Sequence, residues 1–122
     1  MGSLEEGDKL AAQGATAPRV TLESMQDRVV GEFYLNGADL VRPIMSDSEN
    51  HSMGMQHCHK SLSALTICVL VLDNGFTLVG KSAPASIENF DNEKGCTFAK
   101  EDALRQLWPL EGYLLRNRLA GH

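Results

Sequence analysis

The chain has 122 residues, 43% of them hydrophobic, and a formal net charge of −5. This is enough for one domain with its own core, and the acidic balance argues against bulk binding of duplex nucleic acid, whose affinity comes from neutralised phosphates. The longest apolar run, Ile67 to Leu72, is too short to span a membrane, the amino terminus lacks a signal-peptide pattern, and three cysteines without a CxxC pair suit a reducing cytosol.

Residues 1–19 are rich in Gly, Ala, Gln and acids, and Leu4 and Leu10 are their only large aliphatic residues after Met1. So little apolar surface does not offset ordering entropy, and the segment reads as a flexible tail ahead of a single domain over 20–122, with a short helix over Glu5 to Gln13 as the less favoured alternative. Thr21 is a candidate N-cap, with Ser24 in the reciprocal position. Leu22, Met25, Val29 and Phe33 recur at helical spacing, and Gly37 follows Asn36 as a stop. An amphipathic helix over Leu22 to Asn36 is expected, with Arg28 and Glu32 as an i, i+4 pair on its wet side. Residues 38–61 read as an irregular surface loop.

Leu65 to Ala83 is the strongest local signal in the chain. Two apolar, β-branched runs flank Asp73-Asn74-Gly75, and Asn-Gly favours a type I′ hairpin turn, which needs positive φ at both central residues. Pairing the strands around Asn74-Gly75 puts Leu65, Ile67, Val69, Val71, Phe76 and Leu78 on one face. Cys68, Leu70, Leu72, Val79 and Ala83 fall on the other. A strand apolar on both sides is covered on both faces. One helix covers only one of them, so a second copy of the chain is expected on the other.

Asp91 is a candidate N-cap for a last helix from Asn92 to Leu119, bent or broken near Pro109. Ala99, Ala103, Leu107, Leu110 and Leu114 form one apolar stripe, and Leu104, Trp108, Leu115 and Leu119 an adjacent one. These suit a core helix, a homodimer seam, or both. The expected fold is therefore α+β: an N-terminal amphipathic helix, an antiparallel hairpin and a long kinked C-terminal helix, in an oligomer.

The residues hold no catalytic constellation. His51 and His57-Cys58-His59 are metal-ligand types, but adjacent ligands on an extended segment diverge and no second cluster completes a zinc site. A solvated loop is the simpler reading, and no metal or other cofactor is expected. Cys68 lies mid-strand as a packing residue, and Cys96 has no base placed near it by sequence. One polar and aromatic stripe remains on the last helix: Asp102, Gln106, Pro109, Tyr113 and Arg116. Arg118 adds charge at its end, and Asn89-Phe90 marks the turn before it. An aromatic face, an amide and a guanidinium fork are what a nucleotide needs. Pattern alone equally describes a solvated helix face with pairs such as Glu101–Arg105, and that reading is the commoner one.

The ordered string Leu65 to Ala83, then Glu88-Asn89-Phe90-Asp91, Gly95, Ala99, Ala103 and Leu107-Trp108-Pro109-Leu110-Glu111-Gly112-Tyr113-Leu114, resembles the small phage protein family first named from phages N4 and Sf6. The likeness spans Val20 to Leu119. It also suggests kinship with the Thoeris anti-defence sponge proteins, which bind cyclic ADP-ribose-type signals, and in some cases cyclic oligonucleotides, without cleaving them. This resemblance implies a non-enzymatic, homo-oligomeric phage counter-defence protein in the cytoplasm of the infected bacterial host. Its ligand site would involve Ser82, Asn89, Phe90, Asp102, Tyr113, Arg116 and Arg118, with Phe90 stacking on a base and Arg116 pairing with phosphate. Asp102 stands where an amide is expected. The alternative is a phage interaction module that inhibits or adapts a host protein through its apolar helix surface.

Overall fold

The computed structural model describes residues 2–45 and 52–122. In chain order the elements are α1 (Gly2–Ala12), α2 (Leu22–Asp27), β1 (Val29–Asn36), a 3-10 turn (Gly37–Leu40), α3 (Arg42–Met45), α4 (Met53–Leu62), β2 (Thr66–Leu72), β3 (Thr77–Ser82), a second 3-10 turn (Ile87–Asn89) and α5 (Asn92–Leu119). The fold is α+β: an antiparallel sheet in the order β1-β2-β3 with α5 laid across one face.

The helix expected over Leu22 to Asn36 is half right. Thr21 and Ser24 form the capping box, but α2 ends at Asp27 and the chain continues as β1. Val29, Val30, Phe33, Tyr34 and Leu35 are β-branched, aromatic or aliphatic residues that fit a pleated surface, and β2 offers a partner along the whole length of β1. Apolar spacing alone could not distinguish this segment from a helix. The expected Arg28–Glu32 pair is therefore absent. Arg28 pairs with Glu111 and Asp73, and Glu32 pairs with Lys100 on α5.

The hairpin is present with a different turn. Among the described residues no non-glycine residue has positive φ, and Gly75 has φ +86°. Gly75 N donates to Leu72 O at 2.9 Å and Leu72 N to Phe76 O at 2.8 Å. That is a type I turn at Asp73-Asn74 followed by a left-handed glycine, a three-residue loop rather than the type I′ two-residue loop. The extra residue shifts the register by one. Val71 faces Thr77, and Leu70 faces Leu78. A one-residue shift turns a whole strand over, so Leu78 joins the covered face and Val79 the open one.

The covered face carries Cys68, Leu70, Leu72 and Leu78, which pack with Leu22, Met25, Ala99, Ala103, Leu104 and Leu107. Gly80 sets how closely α5 lies on β3. A Cβ there would stand 2.0 Å from Ala99 O and 2.5 Å from Ala103 N, so only glycine opposite two alanines permits this contact. Pro109 lies inside α5 without ending it. The open face presents Phe33, Val69 and Val79 in one row across the three strands. Phe33 is 61% and Val79 55% exposed.

Two segments read as irregular have structure. Residues 1–19, expected to be a flexible tail, contain α1. Leu4 is buried in the core, and the Ser3 hydroxyl joins Glu101 and Arg105 on α5. Asp8 accepts from Leu22 N and pairs with Arg19, which ties the helix down. Within the expected loop 38–61, Ser52 caps α4 through Met55 N. Gly37 N donates to Leu65 O, and Asn36 reaches the Ser63 carbonyl, fixing the turn after β1 against the entry to β2. The part of that loop at 46–51, including His51, lies outside the described residues.

Candidate ligand-binding site

β3 ends at Ser82 because Pro84 follows almost at once and cannot donate to a ladder. The chain turns through Ile87–Asn89, runs extended at Phe90, and enters α5 at Asp91, whose Oδ1 accepts from Lys94 N at 3.0 Å. Between the strand end and the first turns of α5 lies a cavity of about 200 Å³. Ser82, Asn89, Phe90, Asp91, Lys94 and Phe98 are among its lining residues. Phe90 and Phe98 supply two aromatic walls, the second 54% exposed. Lys94 supplies a cation one helical turn from Phe98, and Ser82 and Asn89 supply neutral polar groups. The positive end of the α5 dipole lies at the same place. The cavity is smaller than the roughly 300 Å³ where drug-sized pockets begin. It has room for one end of a nucleotide, a base or a ribose phosphate.

Ser82, Asn89 and Phe90, three of the seven expected site residues, meet here. The other four do not. Asp102 Oδ2 accepts from Lys81 N at 2.9 Å, and Gln106 Nε2 donates to the Val79 carbonyl at 2.7 Å. These two side chains close the outer edge of β3. Asp102 is thus a sheet-edge acceptor, and its carboxylate is engaged away from the cavity. Tyr113, Arg116 and Arg118 are exposed near the far end of α5. At 1.5 Å per residue, Arg116 lies roughly 35 Å along the helix from its start beside Phe90. One small ligand in one chain cannot touch both.

Sequence reasoning missed Lys94 and Phe98. The signal was the four-residue spacing of Lys94 and Phe98, which puts both on one side of α5 once Asp91 starts the helix.

A second concavity of about 220 Å³ lies at the other end, where the hairpin turn meets α5. Leu110, Tyr113 and Leu114 line it opposite Phe76, with Arg28 and Glu111 at its floor. Glu111 is nearly buried, and its carboxylate is held by Arg28.

Residues 20–119 match the family model described as Phage protein (N4 Gp49/phage Sf6 gene 66) family. The chain belongs to this family. No curated protein and no solved structure matches it. The region of this phage protein matched by the family model contains the sheet, both concavities and all of α5, and leaves α1 outside. No helix among the described residues is long and apolar enough to cross a membrane. His57, Cys58 and His59 lie on α4 rather than an extended loop, so the helix spreads them around its axis. Among the described residues, no three His, Cys, Asp or Glu side chains gather into a possible metal site. Cys68 is fully buried, and burial pushes its thiol pKa up.

Proposed function

We propose that this phage protein binds a cyclic nucleotide signal and sequesters it without cleaving it, acting as a counter-defence sponge in the cytoplasm of the infected host. One observation carries the reading. Phe90 and Phe98 stand as aromatic walls beside Lys94 at the positive end of α5, with Ser82 and Asn89 at the rim. Aromatic faces stack on any base, a lysine pairs with phosphate as a point charge, and backbone N–H groups at a helix start favour anions. Asp91 caps the helix through Lys94 N, so its carboxylate is directed to the backbone rather than left free against a phosphate. The far end of the signal extends beyond a cavity of about 200 Å³.

The test is retention. The purified protein is incubated with a panel of cyclic ADP-ribose-type and cyclic oligonucleotide signals, freed of unbound ligand, and denatured. The supernatant is then analysed by mass spectrometry. Recovery of the intact nucleotide is expected, with Phe90→Ala and Lys94→Ala each lowering it at least tenfold. Recovery of a cleaved product would make the protein an enzyme.

A second reading is an interaction module that inhibits or adapts a host protein. The open sheet face favours it, because Phe33 and Val79 are more than half exposed on a surface with no covering element among the described residues. Failure of every nucleotide in the panel to be retained would favour that reading.

A further inference from the structure

Helix α4 has a composition that packing does not explain. It runs Met-Gly-Met-Gln-His-Cys-His-Lys-Ser-Leu from Met53 to Leu62 and contributes no buried residue to the core. On an extended segment His57, Cys58 and His59 would point in alternating directions. Ser52 caps a helix here instead, and the helix decides which donors converge. Met55, Cys58 and His59 stand at i, i+3 and i+4. At about 100° per residue they share an arc of roughly 100° on one side of α4. Met53, His57 and Lys60 fall on the other side. Lys60 is the only lysine, arginine or acid in the helix, so no fixed charge stands among the three donors. Met55 and His59 are half-buried, and Cys58 is an exposed free thiol beside them. With Leu62, Met55 and His59 are the least exposed positions of a helix that packs on the 3-10 turn Gly37–Leu40.

We propose that Met55, Cys58 and His59 form a three-coordinate site for a soft monovalent cation, Cu(I). Three arguments select this metal. The first is donor chemistry. Thiolate and thioether are soft ligands and imidazole suits copper, whereas magnesium and calcium require oxygen donors. Structural zinc takes four ligands from Cys, His and carboxylates. Among the described residues no third side chain of those types joins Cys58 and His59. The methionine completes the set, and it does so only for a soft metal. The second argument is reach. Side chains at these spacings have Cβ atoms about 5–6 Å apart. Methionine is long and unbranched, so its sulfur can adapt to a metal held by the other two. The third is charge. The Cys58 thiol releases its proton to solvent as the Cu–S bond forms, so thiolate and cation sum to zero. A neutral pair is tolerated at a half-buried position that would penalise a bare cation. Copper remains Cu(I) throughout, and no electron is transferred. No residue of α4 is among those lining the two concavities, so this site is separate from nucleotide binding.

Anaerobic titration of the full chain with Cu(I), in competition with a colorimetric Cu(I) chelator, tests it. One Cu(I) per chain is expected to be retained, with both sulfur and nitrogen neighbours in its X-ray absorption spectrum. Met55→Leu, Cys58→Ser and His59→Gln should each weaken retention by roughly tenfold or more. The far-UV circular dichroism should stay unchanged, because none of the three lies in the core. His57→Gln, across the helix, and Cys96→Ser, on α5, should leave retention as in the wild type. The proposal is overturned if the chelator strips all the copper, if Cys96→Ser abolishes retention, if Met55→Leu leaves it unaltered, or if Zn(II) displaces Cu(I) from the chain.

Discussion

Lys81 N–H, on the outer edge of β3, donates to Asp102 Oδ2 on α5 at 2.9 Å. One turn along the helix, Gln106 Nε2 donates to the Val79 carbonyl at 2.7 Å. A bare strand edge is a template for pairing with other chains, and here two helical side chains occupy it. Asp102→Ala is expected to lower stability by about 1 kcal/mol, and Asp102→Ala with Gln106→Ala by about 2 kcal/mol, as exposed hydrogen bonds of this kind contribute. Asp102→Asn keeps an acceptor and should cost less. Urea titration followed by circular dichroism measures all three. Nucleotide retention should be unchanged in each, which separates this carboxylate from the cavity at Phe90.

Gly80 supports a larger prediction. The Cβ of Gly80→Ala would fall 2.0 Å from the Ala99 carbonyl oxygen. Backbone, unlike the end of a long side chain, cannot move aside without lifting α5 from the sheet. A loss of about 3 kcal/mol or more is expected, read as a lower urea midpoint or as loss of the cooperative transition. Gly112→Ala is the control. Among the described residues nothing outside its own helical turn stands within 4 Å of the place its Cβ would take, and alanine favours a helix interior over glycine by about 1 kcal/mol.

Thr66 points the other way. It is 2% exposed, and its Oγ1 has no hydrogen-bond partner among the described residues. Replacing an unsatisfied buried hydroxyl with a methyl of similar shape removes a desolvation cost. Thr66→Val should therefore stabilise the fold by about 1 kcal/mol, visible as a higher melting temperature.

Stability should have both an acid and an alkaline limb. Glu32 has its pKa lowered, first by the Tyr34 hydroxyl and then by Lys100, and Asp8 has its pKa lowered, first by Leu22 N–H and then by Arg19. A lowered folded-state value gives stability that is present above the ordinary carboxylate pKa and lost as pH falls through the lowered one. Cys68 is raised by burial, and Tyr34 by burial and by Glu32. These contributions are present below the ordinary thiol and phenol values and lost as pH rises above them. Urea midpoints should hold level from about pH 5 to 8 and fall on either side. Glu32→Gln should flatten the acid limb and Cys68→Ala the alkaline one.

Much of the architecture was legible locally. The capping pair Thr21–Ser24, the Asp91 cap, the extent of α5, the hairpin and the Glu101–Arg105 pair each depend on residues within a few positions of one another. The errors came where a distant partner decides. Val29 to Asn36 fits a helix by spacing and a strand by residue type, and only the edge of β2 resolves it. α1 has too little apolar surface to fold alone, yet Leu4 finds a place in the core. Of the site, Ser82, Asn89 and Phe90 were legible because a strand end, a turn and a cap bring them together over a short stretch. Lys94 and Phe98 join them only through tertiary packing, which sets the first turns of α5 beside the end of β3 to form the cavity.

By itself the sequence determined the family, the hairpin and the long capped helix, since these are written in contiguous residues and short-range backbone preferences. Tertiary structure alone decided which face of β3 is covered, because one residue in the turn reverses the strand, and it alone placed Arg116 far from Phe90. A rigid helix of 28 residues holds its two ends apart, however closely a nucleotide reading would join them.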